Sequence, residues 1–237
     1  MTKIDPQEPP CMIEAVGTTE RIRRAYDLWS AIYAKVAGPL EHGPRLRALE
    51  LAGIQPLDIV LEVAVGTGAI LLEVLKRVDK RKIVYGTDLS PKMLHKARQL
   101  AHDEGHANLG LYRADARQLP FRGEAFDVIY SSYFLDLLEL KDMPPVLDGF
   151  KRVLRPGGRL VLVNLSKEYA DKISWIERFY LWLPAAWVPY LLGSCRPVFM
   201  QELVEAQGFI EVKREFIRGL THSEIVTARK PSNSWHR

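Results

Sequence analysis

The most constraining stretch of this chain is Ile59–Leu72, IVLEVAVGTGAILL. It begins as an apolar run broken only by Glu62, turns through Gly66-Thr67-Gly68, and continues in apolar, helix-compatible residues. A strand buried on both faces of a parallel sheet reads as a continuous apolar run, not an alternating one. Glycines directly after such a strand permit a tight turn and let a ligand approach the main chain. The helix that follows points free N–H groups and its positive dipole end toward that ligand. A nucleotide-like or zwitterionic molecule is therefore expected beyond the end of this strand.

Strand and helix alternate from here on. Strands are predicted at Lys82–Thr87, Leu109–Ala114, Phe126–Tyr130 and Arg159–Leu165, with helices near Gly68–Val78, from Pro91 to Gly105, and over Met143–Leu154. Right-handed crossovers then give a parallel sheet covered on both faces. The end of the chain differs: a helix at Pro197–Gln207 precedes strands Phe209–Phe216 and Ser223–Arg229. Their link is too short for a parallel return, so they form an antiparallel hairpin. The expected fold is α/β: a doubly wound, Rossmann-like, seven-stranded and mostly parallel sheet with a C-terminal antiparallel hairpin.

Before the first strand, residues 1–18 read as a mobile arm, and residues 19–52 as a helical lid with an aromatic stripe that includes Tyr26. Gly43-Pro44 is expected to break that region, leaving a second helix at Arg45–Ala52. One domain spans 19–231, with an aromatic cap insertion at about 170–196 and a frayed tail at 232–237.

Charge and cysteines narrow the function. The net charge of +4 comes from cations interspersed with acids, without the basic stripe that nucleic-acid binding needs. The N-terminal MTKIDPQEPPCM is polar and proline-rich, unlike a secretory leader. Cys11 and Cys195 form no disulfide framework and lack metal-site spacing, which suits a reducing, cytoplasmic setting without a metal.

In a doubly wound sheet, ligands bind beyond the carboxyl ends of the strands. Asp88 and Asp115 follow the second and third strands. An acid after the second strand can accept both hydroxyls of a ribose, and one after the third can accept from an adenine amine. Each also has an ordinary reading as a helix cap or strand-end charge.

Taken in order, EVAVGTG, VYGTDLSPKML, YRADARQLPF, FDVIYSS and RVLRPGGRLVLVN resemble the successive motifs of class I S-adenosylmethionine-dependent methyltransferases. The resemblance implies an enzyme that moves a methyl group from S-adenosylmethionine to a small acceptor by in-line displacement. It implies that Glu62 anchors the methionine amine side and that Ala64, Gly66 and Gly68 lie against the cofactor, with Ala64 where the family usually has glycine. It further implies that Asp88 holds the ribose, Leu89 and Met93 flank the adenine, and Asp115 with Ala116 reads its edge. Ser131 falls below the methionine moiety, and Tyr26 near the sulfonium. Within the superfamily the chain is similar to the ubiquinone/menaquinone C-methyltransferases and bacterial phospholipid N-methyltransferases. The quinone enzymes carry a Gly-Leu-Arg-Asn-like element after the fourth strand. Here that place holds Phe134-Leu135-Asp136-Leu137-Leu138, so their arginine has no counterpart.

The acceptor side is read from Trp175–Leu192, WIERFYLWLPAAWVPYLL, which carries no charge from Phe179 on. It is shorter than the about 20 apolar residues that span a bilayer. Three readings stay open: a helical cap on the core, a lid lining an apolar acceptor pocket through Trp182, Trp187 and Tyr190, and a peripheral contact with a membrane surface. Tyr133 and Asp136 are the nearest polar groups beyond the fourth strand, as acceptor-orienting residues or a general base. Two rivals remain: a cofactor-binding protein without catalysis, and a nicotinamide-dependent oxidoreductase. The latter's G-x-G-x-x-G frame fails at Leu71.

Overall fold

The computed structural model describes residues 12–15, 38–169, 173–184, 187–188 and 195–232. The helical lid before Gly38, with Tyr26, falls outside them, as do Tyr190 and most of the arm and tail.

The strands are β1 (Val60–Val63), β2 (Val84–Asp88), β3 (Leu109–Arg113), β4 (Phe126–Ser132), β5 (Leu154–Leu165), β6 (Ile210–Ile217) and β7 (Ser223–Arg229). They form one sheet in the order β3-β2-β1-β4-β5-β7-β6. β1 to β5 are parallel, while β7 pairs antiparallel with both β5 and β6. The expected sheet is the observed one.

Both faces are covered because alternate strand residues point to opposite sides. Leu61, Ile129, Leu160 and Leu162 pack against helix α4 (Met143–Val153) and α6 (Gln201–Ala206). Val60, Val128, Tyr130 and Val161 pack against α1 (Gly38–Ala52), α2 (Ala69–Leu75) and α3 (Pro91–Asp103). A short helix, α5 (Trp175–Trp182), follows β5.

Three sequence readings need correction. The helix expected at Arg45 begins at Gly38 and runs through Pro44. Proline in a helix interior forfeits one hydrogen bond; here the burial of Ala48, Leu49 and Ala52 and an Arg45–Glu41 ion pair hold the helix against that loss. β5 starts at Leu154, five residues early, because Arg155-Pro156-Gly157-Gly158 bulges out between the paired ends Phe126–Leu154 and Val128–Arg159. The tail helix is shorter than expected: Arg196–Met200 is irregular chain, fastened by a Ser166–Val198 bridge.

Candidate active site

The register of the sheet assembles the donor end. Glu62 pairs with Gly86, Thr87 with Tyr112, and Asp88 with Arg113, so the ends of β1, β2 and β3 lie side by side. Beyond β1 the chain turns at Ala64 and Gly66, both with left-handed backbone (φ 61° and 54°). The Val65 N–H donates to the Thr87 carbonyl (3.0 Å), which lays the turn over β2. Asp88 then secures it: its Oδ2 accepts from the Gly66 N–H (2.9 Å) and its Oδ1 from the Ser90 N–H (2.8 Å). Ser90, not Asp88, caps α3, through a 3.2 Å bond from the Met93 N–H.

The two glycines do different work. A Cβ on Gly66 would meet nothing within 4 Å, so its exposed face is open to a ligand. A Cβ on Gly68 would lie 2.7 Å from the Ala97 Cα, so this glycine lets α2 and α3 pack closely. Ala64 takes the strained conformation with a methyl group, at a cost of about 1–2 kcal/mol.

Glu62 is the most unusual group here. It is 2% exposed, and its Oε2 has no hydrogen-bond partner among the described residues. Burial pushes its carboxyl well above the usual range; the Arg45 guanidinium pulls it back, and the Asp88 carboxylate raises it further. An unpaired buried carboxylate oxygen is costly unless a donor arrives to meet it. Ser131 stands opposite the next residue, Val63, and its hydroxyl donates to the Val63 carbonyl (3.0 Å).

The third acid is engaged otherwise. Asp115 caps the short turn Ala116–Gln118 and forms a two-oxygen pair with Arg117 (Nη2 to Oδ2 2.6 Å, Nε to Oδ1 3.0 Å), which in turn reaches Asp142 (3.1 Å). The Arg117 side chain holds its carboxyl below the usual carboxylate range. Leu89 is half-buried beside Asp88, while Met93 and Ala116 are buried.

Beyond β4 the second half of the cleft begins. Tyr133 has left-handed backbone (φ 51°), its ring lies under the Arg45 guanidinium (5.0 Å), and its hydroxyl shares a 2.8 Å bond with Ser223. Burial raises its phenol above the ordinary value. Asp136 is fully buried; its Oδ2 accepts from the Leu165 N–H (3.0 Å) and its Oδ1 has no partner among the described residues. Burial pushes its carboxyl up to about 7. Its loop is pinned by Arg196, whose guanidinium donates to the carbonyls of Asp136 (2.9 Å), Leu138 (2.7 Å) and Ile13 (2.6 Å).

The two tryptophans of the aromatic cap face outward. Trp182 and Trp187 are 77% and 61% exposed, because Ile176, Glu177 and Tyr180 occupy the inward face of α5. Sequence reasoning also missed Arg45 and Glu41, which α1 delivers to the donor end by running through Gly43-Pro44. Arg196 had one visible signal: a lone cation after a long apolar run. Among the described residues no cluster of His, Cys, Asp or Glu could hold a metal, and no helix is long and apolar enough to cross a membrane.

Comparison with known proteins bears on this geometry. The methyltransferase domain family matches residues 60–158, from β1 through the glycine bulge of β5, a stretch that contains Glu62, Asp88 and Asp115. Over 162 residues the chain is 31% identical to the ubiquinone/menaquinone biosynthesis C-methyltransferase UbiE of Teredinibacter turnerae, an alignment covering 65% of this chain and 64% of that protein. The chain thus spans just under two-thirds of that relative. Two solved structures share the domain's fold: the [4+2]-cyclase SpnF (TM-score 0.71, 19% identity, 93% of this chain and all of that one), and the N-methyltransferase NodS of Bradyrhizobium japonicum with bound S-adenosyl-L-homocysteine (TM-score 0.69, 16% identity, 90% of this chain and all of that one). The fold is the α/β Rossmann-like methyltransferase fold, with the sheet order described above.

Proposed function

We propose that this protein is an S-adenosylmethionine-dependent methyltransferase acting on a small, apolar or lipid-like acceptor. The observation that carries the reading is the buried, unpartnered Glu62 Oε2 beside Asp88, above an open turn at Gly66. Two carboxylates converging on exposed backbone suit a ligand with a cationic amine at one end and a vicinal diol farther along. Glu62 receives the amine, Asp88 the ribose hydroxyls, and Ser131 forms the floor. Leu89, Met93 and Ala116 border the adenine, with Asp115 at its edge. Arg45 supplies a cation for the carboxylate end. Tyr26 of the helical lid belongs to the same cleft by resemblance alone.

When bound, S-adenosylmethionine supplies a methyl group already activated by its sulfonium. The chain's own task is then alignment and exclusion of water, worth on the order of 7–11 kcal/mol at best. Asp136 fits the role of proton acceptor for an acceptor that must lose a proton, since its carboxyl titrates at about 7. Tyr133 fits an orienting role through its bond to Ser223. A quinone-type ring is the acceptor class that the relative's name supports; a phospholipid amine is the alternative. The aspartate in place of the quinone enzymes' arginine leaves the acceptor the feature most in need of direct assay.

A second reading is a cofactor-binding protein without methyl transfer, favoured by the shared fold of a [4+2]-cyclase. Incubation with methyl-labelled S-adenosylmethionine and fractionated quinones, lipids and thiols separates the two. Label passing into a quinone or lipid fraction is the expected result. Tight cofactor binding with no transfer to any fraction would favour the second reading, and absence of binding would overturn both.

A further inference from the structure

Helix α5 carries a cluster of exposed aromatic side chains that the proposed activity does not use. Trp175, Phe179 and Trp182 recur at i, i+4 and i+7 and so share one face; they are 63%, 42% and 77% exposed. The rings of Phe179 and Trp182 stack at 6.0 Å. Leu181 and Trp187 are exposed nearby. At about 150–250 Å² for each aromatic, the exposed fractions of Trp175, Phe179 and Trp182 amount to about 300–450 Å², the size of the largest apolar patch on a monomer, which is often functional.

The face is held outward. The Ser174 hydroxyl accepts from the Glu177 N–H (3.2 Å) while the Glu177 carboxylate accepts from the Ser174 N–H (2.7 Å), a reciprocal cap on the first turn. The same carboxylate pairs with the buried Lys167 (3.0 Å). This fixes the rotation of the helix, so the aromatic face cannot roll inward without breaking a buried ion pair.

Charge identifies the occupant. The one acid of α5, Glu177, is fully buried, and its exposed cation is Arg178. Neighbouring Glu168 is paired with Arg218. The face therefore combines tryptophan with positive charge and offers no acid of its own. Two copies meeting about a two-fold axis would set like-charged faces together. An anionic bilayer surface, by contrast, matches both features: tryptophan settles at the headgroup level, and cations are drawn to acidic lipids. The net charge of +4 acts in the same direction. At eight residues the helix is about 12 Å long, enough to lie in the interface and too short to span it.

We infer that this face of α5 docks the protein on an anionic lipid surface. α5 follows the C-terminal end of β5, the edge of the sheet where the cleft opens. Beneath its start lies a pocket of ≈ 150 Å³ lined in part by Tyr169, Ile176 and His222. Docking through α5 thus brings the cleft to the surface where a lipid-like acceptor resides, without depending on the identity of that acceptor.

The test is sedimentation of the full chain with vesicles of phosphatidylcholine alone or mixed with phosphatidylglycerol, together with tryptophan emission. Binding to the mixed vesicles, with a blue shift and quenching by brominated lipid, is expected. Trp175→Ser/Phe179→Ser should weaken it by at least about tenfold, and Arg178→Gln by about fivefold. Melting temperature and S-adenosylmethionine affinity should be unchanged in both variants. No binding to the mixed vesicles, or equal binding by the double variant, would overturn the inference. So would a solution dimer that the double variant abolishes while vesicles are ignored. Vesicle binding without cofactor binding would instead overturn the proposed activity and leave the docking face intact.

Discussion

The two halves of the cleft are built in different ways. The donor half uses main-chain geometry: a strand end, a turn of small residues and an acid at the end of the next strand, joined by bonds from main-chain donors such as Gly66 N–H to Asp88 Oδ2. The acceptor half rests instead on buried polar side chains, some near in sequence and some far apart. Arg196 pins a loop 60 residues earlier, Lys167 meets Glu177 in the core, and Glu224 accepts from both Arg214 (2.6 Å) and the Met200 N–H (2.8 Å). Local geometry can be repeated for one donor across many chains. Buried polar pairs are particular to a chain, as a site for a particular acceptor must be.

Several substitutions should sharpen or break this contrast. The largest effect is expected for Lys167→Met, which strands Glu177 without its cation and should cost about 3–5 kcal/mol of stability. Lys167→Met/Glu177→Gln should recover most of it in urea denaturation. Cofactor affinity should hold in both; a parallel loss of affinity would show that the halves are not independent. Next, Asp88→Ala removes charge-assisted bonds to the ribose and should weaken S-adenosylmethionine binding by about 3 kcal/mol, roughly a hundredfold, by calorimetry. It should also lower stability by about 1–2 kcal/mol, because the Gly66 and Ser90 N–H groups lose their acceptor.

Asp136 gives a pH signature. Its folded value of about 7 lies above the ordinary 3.8, so the folded state holds a proton that the unfolded chain releases. Its contribution to stability is therefore full below the ordinary value and declines as pH rises through the folded value. Asp136→Asn should remove that decline, a difference on the order of 2 kcal/mol between acid and mildly alkaline pH. Melting curves across pH that stay parallel for the two proteins would contradict it. The smallest effect is Ala64→Gly, which relieves the left-handed methyl and should add about 0.5–1 kcal/mol.

The same division decided what could be read from the chain itself. The apolar run of β1 and the glycine turn are adjacent in sequence and Asp88 closes the next strand, so periodicity and spacing exposed them. The antiparallel β6–β7 pair was legible because its link is too short for any other return. The course of α1 was not, since tertiary packing of Ala48, Leu49 and Ala52 outweighs the local break signal at Gly43-Pro44. Arg45 was lost with it. The exposure of Trp182 and Trp187 was not legible, because composition tells that a segment is aromatic, not which of its faces looks outward. Asp115 showed both of its readings at once: its place after β3 is as expected, and its carboxylate caps a turn and holds Arg117.

The most direct measurement is a crystal structure with S-adenosylhomocysteine. We expect the ligand's amine at Glu62 Oε2, its ribose hydroxyls on Asp88 and its main body over Gly66. A ligand bound elsewhere, or an amine that leaves Glu62 Oε2 unpaired, would contradict the central claim.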